Sequence, residues 1–236
     1  MSNIIEVNGL TKSYGSHVVL DNMSFALEEG QIIGLMGPNG CGKTSLMKIM
    51  AGLINDYQGE VLIDGSPVGI HTKSIIAYLP EKTYLANWMT PVDAVKYISD
   101  FYPDFDAKKA NDMLDLFEIP KKQKIKSMSK GMQEKLQLML VMCRNARLYI
   151  LDEPLGGVDP AARAFILDTI MKNHPEGSTL LISTHLINDV EHIFDHAFMI
   201  GRGKVLLDES VIKVCENGKT LEDVFKEVFQ YAWQTY

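Results

Sequence analysis

Only three cysteines occur in the 236 residues, Cys41, Cys143 and Cys215, scattered, odd in number and without a C-x-x-C pair. That excludes a disulfide framework and a zinc site, and the three read as reduced thiols. Long hydrophobic runs are missing as well. The best, residues 32–37 and 138–143, fall far short of the ~20 apolar residues a spanning helix needs. No charged-then-apolar leader opens the chain. The expectation is a chain that folds in the cytoplasm and does not itself span a membrane. An excess of basic charge is also absent, since 23 Lys and Arg against 30 Asp and Glu leave a net −7. A nonspecific nucleic-acid surface wants clustered cations, and the one local cluster, Lys121, Lys122, Lys124 and Lys126, reads as a solvated loop. What is present, 46% hydrophobic and 22% charged residues, suits a folded globular protein whose core needs no staple.

Short apolar segments alternate with helical patterns along the chain. Residues 4–8, 17–27, 31–36, 60–64, 75–79, 148–152, 179–183, 197–200 and 204–207 read as strands, with Gly15, Gly30, Asp64-Gly65 and Pro80 as punctuation. The spacing of Leu46, Met47, Met50 and Leu53 predicts a helix over 44–53, and further helices are predicted over 91–102, 106–117, 130–146, 161–173 and 186–193. A strand–helix series is thus split by a helical block of about 60 residues, long enough to be an element of its own. No repeat is present. Near the C-terminus, Thr220 to Asp223 forms a capping-box pattern, followed by an apolar stripe at Leu221, Val224, Phe225, Val228, Phe229, Ala232 and Trp233. That stripe is expected to pack on its own domain, because Glu222, Asp223 and Glu227 would be repelled by anionic lipid.

Two motifs carry chemistry. Gly37-Pro-Asn-Gly-Cys-Gly42-Lys43-Thr44 fits G-x-x-x-x-G-K-S/T between a strand and a helix. Its glycines let successive N–H groups curl toward one anion, and the following helix adds its positive N-terminal end. Lys43 supplies a charge for the β/γ-phosphates and Thr44 a hydroxyl for Mg²⁺. Leu148-Tyr-Ile-Leu151-Asp152-Glu153 is an apolar strand ending in two acids; Asp152 suits the Mg²⁺ shell and Glu153 the polarisation of an attacking water. Together they indicate a nucleotide triphosphatase or kinase. An Asn-Lys-x-Asp guanine reader is absent. The methionines at 128, 132, 139 and 142 read as core filler, His17, His71, His174, His192 and His196 lack metal-ligand spacing, and Cys41 reads as a small unreactive side chain.

Ser127-Met128-Ser129-Lys130-Gly131-Met132-Gln133 resembles the signature motif of ATP-binding cassette (ABC) proteins in a variant form. Lys12-Ser-Tyr14-Gly, Tyr78-Leu-Pro-Glu81, Gly157-Val-Asp159-Pro160 and Ser183-Thr-His185 fall into the family's order around it, so the resemblance covers the whole chain. It implies an α/β fold: a P-loop NTPase (RecA-like) core with an antiparallel β subdomain over 1–82 and 146–210, an inserted helical signature subdomain over 83–145, and a C-terminal helical tail over 211–236. It implies ATP and Mg²⁺ as ligands, with Glu153, His185 and Lys43 catalytic. Tyr14 would stack the adenine, and Asn39, Gly40, Cys41, Gly42, Lys43, Thr44 and Ser45 would wrap the phosphates. Thr44, Glu81 and Asp152 would hold the metal, although the family has glutamine at the Glu81 place. Ser129 and Gly131 would complete the nucleotide site of an opposite subunit, and Asp159 would couple the two sites.

The role implied is that of a bacterial export-type ATPase subunit, peripheral on the inner face of the membrane and acting through a separate transmembrane permease, in a homodimer or heterodimer of ATP-binding subunits. The other reading, a soluble mechanochemical cassette ATPase acting on nucleic acid or ribosomes, lacks the expected coiled-coil insertion or second cassette. The apolar loop Lys82 to Pro91 is expected to expose Tyr84, Leu85, Trp88 or Met89 where a partner helix docks.

Overall fold

The structure, a computed structural model, describes residues 2–234 and the side chains of 2–160 and 162–230. Strands β1 (Asn3–Tyr14), β2 (His17–Glu28) and β3 (Ile32–Met36) lead into α1 (Lys43–Met50), then β4 (Gln58–Ile63), β5 (Ser66–Pro67), α2 (Ile70–Ile75) and β6 (Ile76–Leu79). Helices α3 (Pro91–Phe101), α4 (Ala107–Leu116) and α5 (Lys130–Met142) follow. The chain then alternates through β7 (Leu148–Asp152), α6 (Pro160–Asn173), β8 (Thr179–Ser183), α7 (Ile187–Val190), β9 (His196–Gly201) and β10 (Lys204–Ser210). It closes with α8 (Val211–Val214) and α9 (Leu221–Gln234).

Two sheets result. One is a four-stranded antiparallel sheet in the order β2-β1-β4-β5; the other has six strands in the order β10-β9-β3-β8-β7-β6. Within the second, β6, β7, β8, β3 and β9 run parallel and β10 turns back antiparallel. Parallel strands buried on both faces read as unbroken apolar runs, as Leu148–Leu151 and Leu180–Ile182 do. Their alternation then divides two cores. Tyr149, Leu151, Leu180, Ile182, Ala197 and Met199 join α5, α6, α7 and α9 on one face. Leu148, Ile150, Leu181, Phe198 and Ile200 face α1 and the antiparallel sheet. A third cluster, from Leu85 to Cys143, lies inside the helical block.

That block is tied to β6 by Arg144, which leaves α5 beyond its end. Its Nε donates to both carboxylate oxygens of Asp104 at 2.8 and 2.7 Å, its terminal nitrogens donate to the carbonyls of Ser74 and Ile76, and the guanidinium lies 3.7 Å from the Tyr102 ring centre. This is why the helix predicted to reach 146 ends at Met142. The helix predicted over 44–53 also stops early. Gly52 takes the left-handed conformation (φ +68°), the Leu53 N–H turns back to the Lys48 carbonyl at 2.8 Å, and Leu53 is left 59% exposed. The predicted helix over 186–193 is one α-turn followed by a 3-10 turn, and α2 had no sequence signal. Leu221, Val224 and Phe229 of α9 are buried against the core, as expected; Ala232 and Trp233 lie outside the described side chains. No helix among the described residues is long and apolar enough to cross a membrane.

Phe198 joins the two sheets. It is 1% exposed, and its ring centre sits 4.6 Å from that of Phe25 on β2. Phe198→Ala removes that wedge where neither sheet can collapse, so it should cost about 3–5 kcal/mol and lower Tm by on the order of 10 °C. Urea unfolding with an unchanged slope checks this, and a loss below about 1 kcal/mol would contradict it.

Candidate active site

Strand β3 runs straight into the loop Gly37–Gly42 and then α1, and the loop's glycines are dictated by what lies beneath it. A Cβ on Gly37 (φ +159°) would fall 2.3 Å from the Ile200 carbonyl oxygen, and one on Gly42 (φ +109°) would fall 2.7 Å from Leu20. Only bare backbone lets the loop lie this close on β9 and β2. Lys43 opens α1 almost fully buried, and its Nζ donates to the carbonyls of Gly37 at 2.7 Å and Pro38 at 3.3 Å. The loop's own oxygens thus hold the ammonium across the mouth of the loop, where phosphate oxygens are the stronger acceptors. Cys41 points the other way, into the core, and burial raises its thiol pKa despite the neighbouring Lys43; burial pushes Cys143 up to about 12. Both therefore remain protonated and unreactive.

The two acids at the end of β7 are held differently. Register between β7 and β8 sets Asp152 opposite Ser183. The Ser183 hydroxyl donates to Asp152 Oδ1 at 2.8 Å and accepts from the Glu153 N–H at 2.9 Å. Asp152 is 1% exposed, and its Oδ2 has no partner. Burial raises its pKa above the usual carboxylate range; the Ser183 and Thr44 hydroxyls pull it down, while the charges of Glu153 and Glu81 push it further up. Glu153 occupies a left-handed backbone conformation (φ +51°), uncommon for a residue with a Cβ, so its backbone turns sharply off the strand. Its Oε2 lies 2.8 Å from Nδ1 of His185, which follows β8.

One cavity of about 960 Å³ collects Asn39, Gly40, Gly42, Lys43, Thr44, Ser45, Glu81, Asp152, Glu153 and His185. Tyr14 stands at its edge, half exposed, with its hydroxyl 3.4 Å from Ser45 Oγ and its ring 4.8 Å from Lys12 Nζ. Ser129, Gly131 and Asp159 are not among the lining residues. Ser129 caps α5 by accepting from the Met132 N–H, and Asp159 caps α6 by accepting from the Ala162 N–H. Gly131 has nothing within 4 Å of where a Cβ would stand, so no packing within the chain demands glycine there. Three residues that sequence reasoning missed belong to the site. Ser183 was visible only as part of a motif, whereas its role depends on pairing with β7. Gln137, 4% exposed with an unpartnered Oε1, and His17 also line the cavity, and neither carries a local signal.

No group of three or more His, Cys, Asp or Glu side chains among the described residues could cage a metal alone. The donor set nevertheless fits Mg²⁺, which takes few protein ligands and completes its shell with water and phosphate oxygens. The orphaned Oδ2 of Asp152, a carboxylate that also interacts with the Thr44 hydroxyl, is the oxygen such an ion would require.

Comparison with known proteins agrees with this geometry. The ABC transporter family profile matches residues 20–156, more than half of the chain. An uncharacterized ABC transporter ATP-binding protein of Methanocaldococcus jannaschii is 34% identical, with 92% of this chain and 82% of that protein covered. A lantibiotic transport ATP-binding protein of Streptococcus pyogenes is 28% identical over 94% of this chain and 96% of its own. Among solved structures, an ATP-binding subunit of an ABC transporter superposes with a TM-score of 0.86 at 24% identity, covering 96% of this chain and 99% of that one.

Burial disfavours the Asp152 carboxylate relative to a neutral side chain of the same shape. Asp152→Asn should raise Tm of the ligand-free protein at pH 7–8 by roughly 2–4 °C, the shift of about 1 kcal/mol in a chain of this size. A carboxyl whose folded-state pKa is raised favours the folded state below the unfolded pKa, and that advantage is lost as pH rises through the folded one. The gain from the amide should therefore shrink as pH falls through the raised folded-state pKa. Differential scanning calorimetry across pH checks the sign; a destabilised amide variant at pH 8 would contradict it.

Proposed function

The chain belongs to the ABC transporter family and is one of its ATP-binding, ATP-hydrolysing members; from that premise we propose that it powers movement of a substrate across a membrane through a separate transmembrane permease. The observation that carries the hydrolytic half is the Glu153–His185 contact at 2.8 Å, in the same cavity as the Lys43 loop. In this reading Tyr14, backed by Lys12, stacks the adenine, and the N–H groups of residues 39–45 wrap the phosphates. Lys43 exchanges its carbonyl partners for phosphate oxygens. Thr44 and Asp152, with Glu81 beside them, hold a Mg²⁺ ion that, when bound, neutralises charge on the phosphates. Glu153 orients the attacking water and accepts one of its protons, while the water oxygen bonds to the γ-phosphorus and the bond from that phosphorus to the bridging oxygen breaks, leaving ADP and inorganic phosphate. His185, hydrogen-bonded to Glu153, keeps the carboxylate and the water in line. Ser183 fixes both acids from behind.

The rest of the site comes from a second subunit. Ser129 and Gly131 lie at the exposed start of α5, whose N-terminal end suits a phosphate. The open space at Gly131 supports an approach from outside the chain. Asp159 couples the paired sites. Residues 83–145 then form the helical signature subdomain, 1–82 and 146–210 the core with its β subdomain, and 211–236 the tail. One relative is named for lantibiotic transport and another, a SkfA peptide export ATP-binding protein of Bacillus subtilis, for peptide export. That supports an export role, with the subunit on the cytoplasmic face of the membrane. Of the four residues expected to be exposed after Glu81, Tyr84 (46%) and Trp88 (65%) are, whereas Leu85 and Met89 are buried in the helical block. The exposed pair supports docking of a permease beside the nucleotide site.

Glu153→Gln should keep ATP affinity and lower hydrolysis by at least about 100-fold, since the amide cannot take a proton. It should then accumulate as an ATP-bridged dimer in size-exclusion chromatography. Turnover like that of the unmodified chain would remove Glu153 as the base. Mixing Gly131→Arg with Lys43→Ala chains should restore partial activity to two inactive proteins, because one of the two composite sites in the mixed dimer carries neither lesion. No activity in verified mixed dimers would refute the shared site.

A further inference from the structure

The buried part of α5, Leu136 to Met142, holds one polar side chain, Gln137. It is 4% exposed, stands between Leu136 and Leu138 of two different apolar clusters, and its Oε1 has no hydrogen-bond partner among the described residues. Buried polar atoms are nearly always paired, because an amide oxygen taken out of water without a donor weakens the fold. A Met or Leu there would satisfy the packing without that cost. The oxygen does have an outlet. Lys130, Gln133, Glu134 and Gln137 all line the nucleotide cavity, and their spacing of three and four residues makes them one stripe of α5. Lys130 lies over Gly157, where a Cβ would fall 2.5 Å from its Nζ and 3.8 Å from Glu134 Oε1. Further along the helix, Leu138 and Val141 join the cluster that holds Tyr149 and Leu151 of β7. Gln137 falls between these two contacts, at the level of the turn at Glu153.

The donor that this oxygen meets follows from the two faces of β7. Leu148 and Ile150 face α1, and Asp152 continues that set toward the Thr44 hydroxyl, whereas Tyr149 and Leu151 face α5. Helix α5 therefore approaches the cavity from the side opposite the metal-binding pair. Phosphate oxygens of bound ATP have no hydrogen to give an amide oxygen, and the donors of ATP, its adenine amine and ribose hydroxyls, belong at the Tyr14 end. Lys43 and Lys130 are already engaged, by the loop carbonyls and by Glu134. What remains is the water at Glu153. We infer that Gln137 Oε1 is a second acceptor for the attacking water, Glu153 being the first. The inference rests on the reading of Glu153 as the base and adds a residue that aims the water. A water whose two hydrogens are both accepted turns a lone pair toward phosphorus. As its oxygen bonds to the γ-phosphorus and the bond to the bridging oxygen breaks, one hydrogen passes to Glu153. The other stays on the new phosphate and still donates to Gln137. This pairing forms only with nucleotide and water in place, so it contributes to turnover rather than to ATP affinity.

The test uses the full chain with Mg²⁺ and two ADP complexes. ADP with tetrafluoroaluminate holds an apical water as the transition state does, and ADP with trifluoroberyllate mimics bound ATP. Gln137→Met nearly keeps the shape and removes the oxygen. It should lower kcat roughly 10- to 100-fold and weaken the tetrafluoroaluminate complex by the same factor. KM and affinity for the trifluoroberyllate complex should not change, and Tm of the free protein should be equal or higher. Gln137→Glu, which keeps both the shape and an acceptor oxygen, should stay nearer the unmodified chain in kcat and in the ratio of the two affinities. Unchanged kcat in Gln137→Met, equal weakening of both complexes, or equal losses in the two variants would overturn the proposal. A fall in Tm in Gln137→Met would show that the chain itself pairs the oxygen, and would overturn it too. Glu153→Gln separates the two levels. If that variant keeps turnover, the base reading fails and the role of Gln137 fails with it; if it is inactive while Gln137→Met is not, only the role of Gln137 fails.

Discussion

The site depends on one pairing, the register that sets the end of β7 against the end of β8. Shift it by one residue and Asp152 loses the Ser183 hydroxyl, every apolar residue of β7 changes face, and both cores lose their lining. A buried carboxylate is costly, and here one hydroxyl on the neighbouring strand serves both acids, accepting from the Glu153 backbone while donating to Asp152. The sharp turn at Glu153 depends on that same pairing. It ends the strand so that the second carboxylate leaves the sheet for the cavity and meets His185. In open α/β sheets ligands gather at the carboxyl ends of the strands, and β3, β7 and β8 all end at this cavity.

A second level of organisation is the tie between the helical block and the core. The block has its own apolar cluster, so its internal packing says little about where it sits. Position comes from Arg144, whose guanidinium spans the carboxylate of Asp104 and two carbonyls beside β6, and from the face of α5 that shares the core with Tyr149 and Leu151. A directional polar link joined to an apolar face resists sliding more than rotation.

A smaller cleft between α1, β6 and the helical block shares Lys82 with the nucleotide cavity. Two exposed aromatic residues beside it, Tyr84 and Trp88, would be wasteful on a surface that met only water, since burial of aromatic rings is among the larger gains available to a side chain.

The sequence by itself determined the local chemistry. The phosphate loop, the acid-ended strand and the capping box at Thr220 were readable because each is a short run of residues whose backbone geometry permits little else: glycine where a Cβ cannot fit, an apolar run ending in acids, threonine three residues ahead of aspartate at a helix start. The strand–helix alternation followed from the same short-range periodicity. Tertiary structure alone decided which of these meet. Glu153 and His185 are 32 residues apart, and only the pairing of β7 with β8 makes them neighbours. Nothing local separated exposed Tyr84 and Trp88 from buried Leu85 and Met89, because the helical block chooses which side of that loop it covers. Leu53 looked like the last core residue of a helix, but Gly52 had already turned the chain outward.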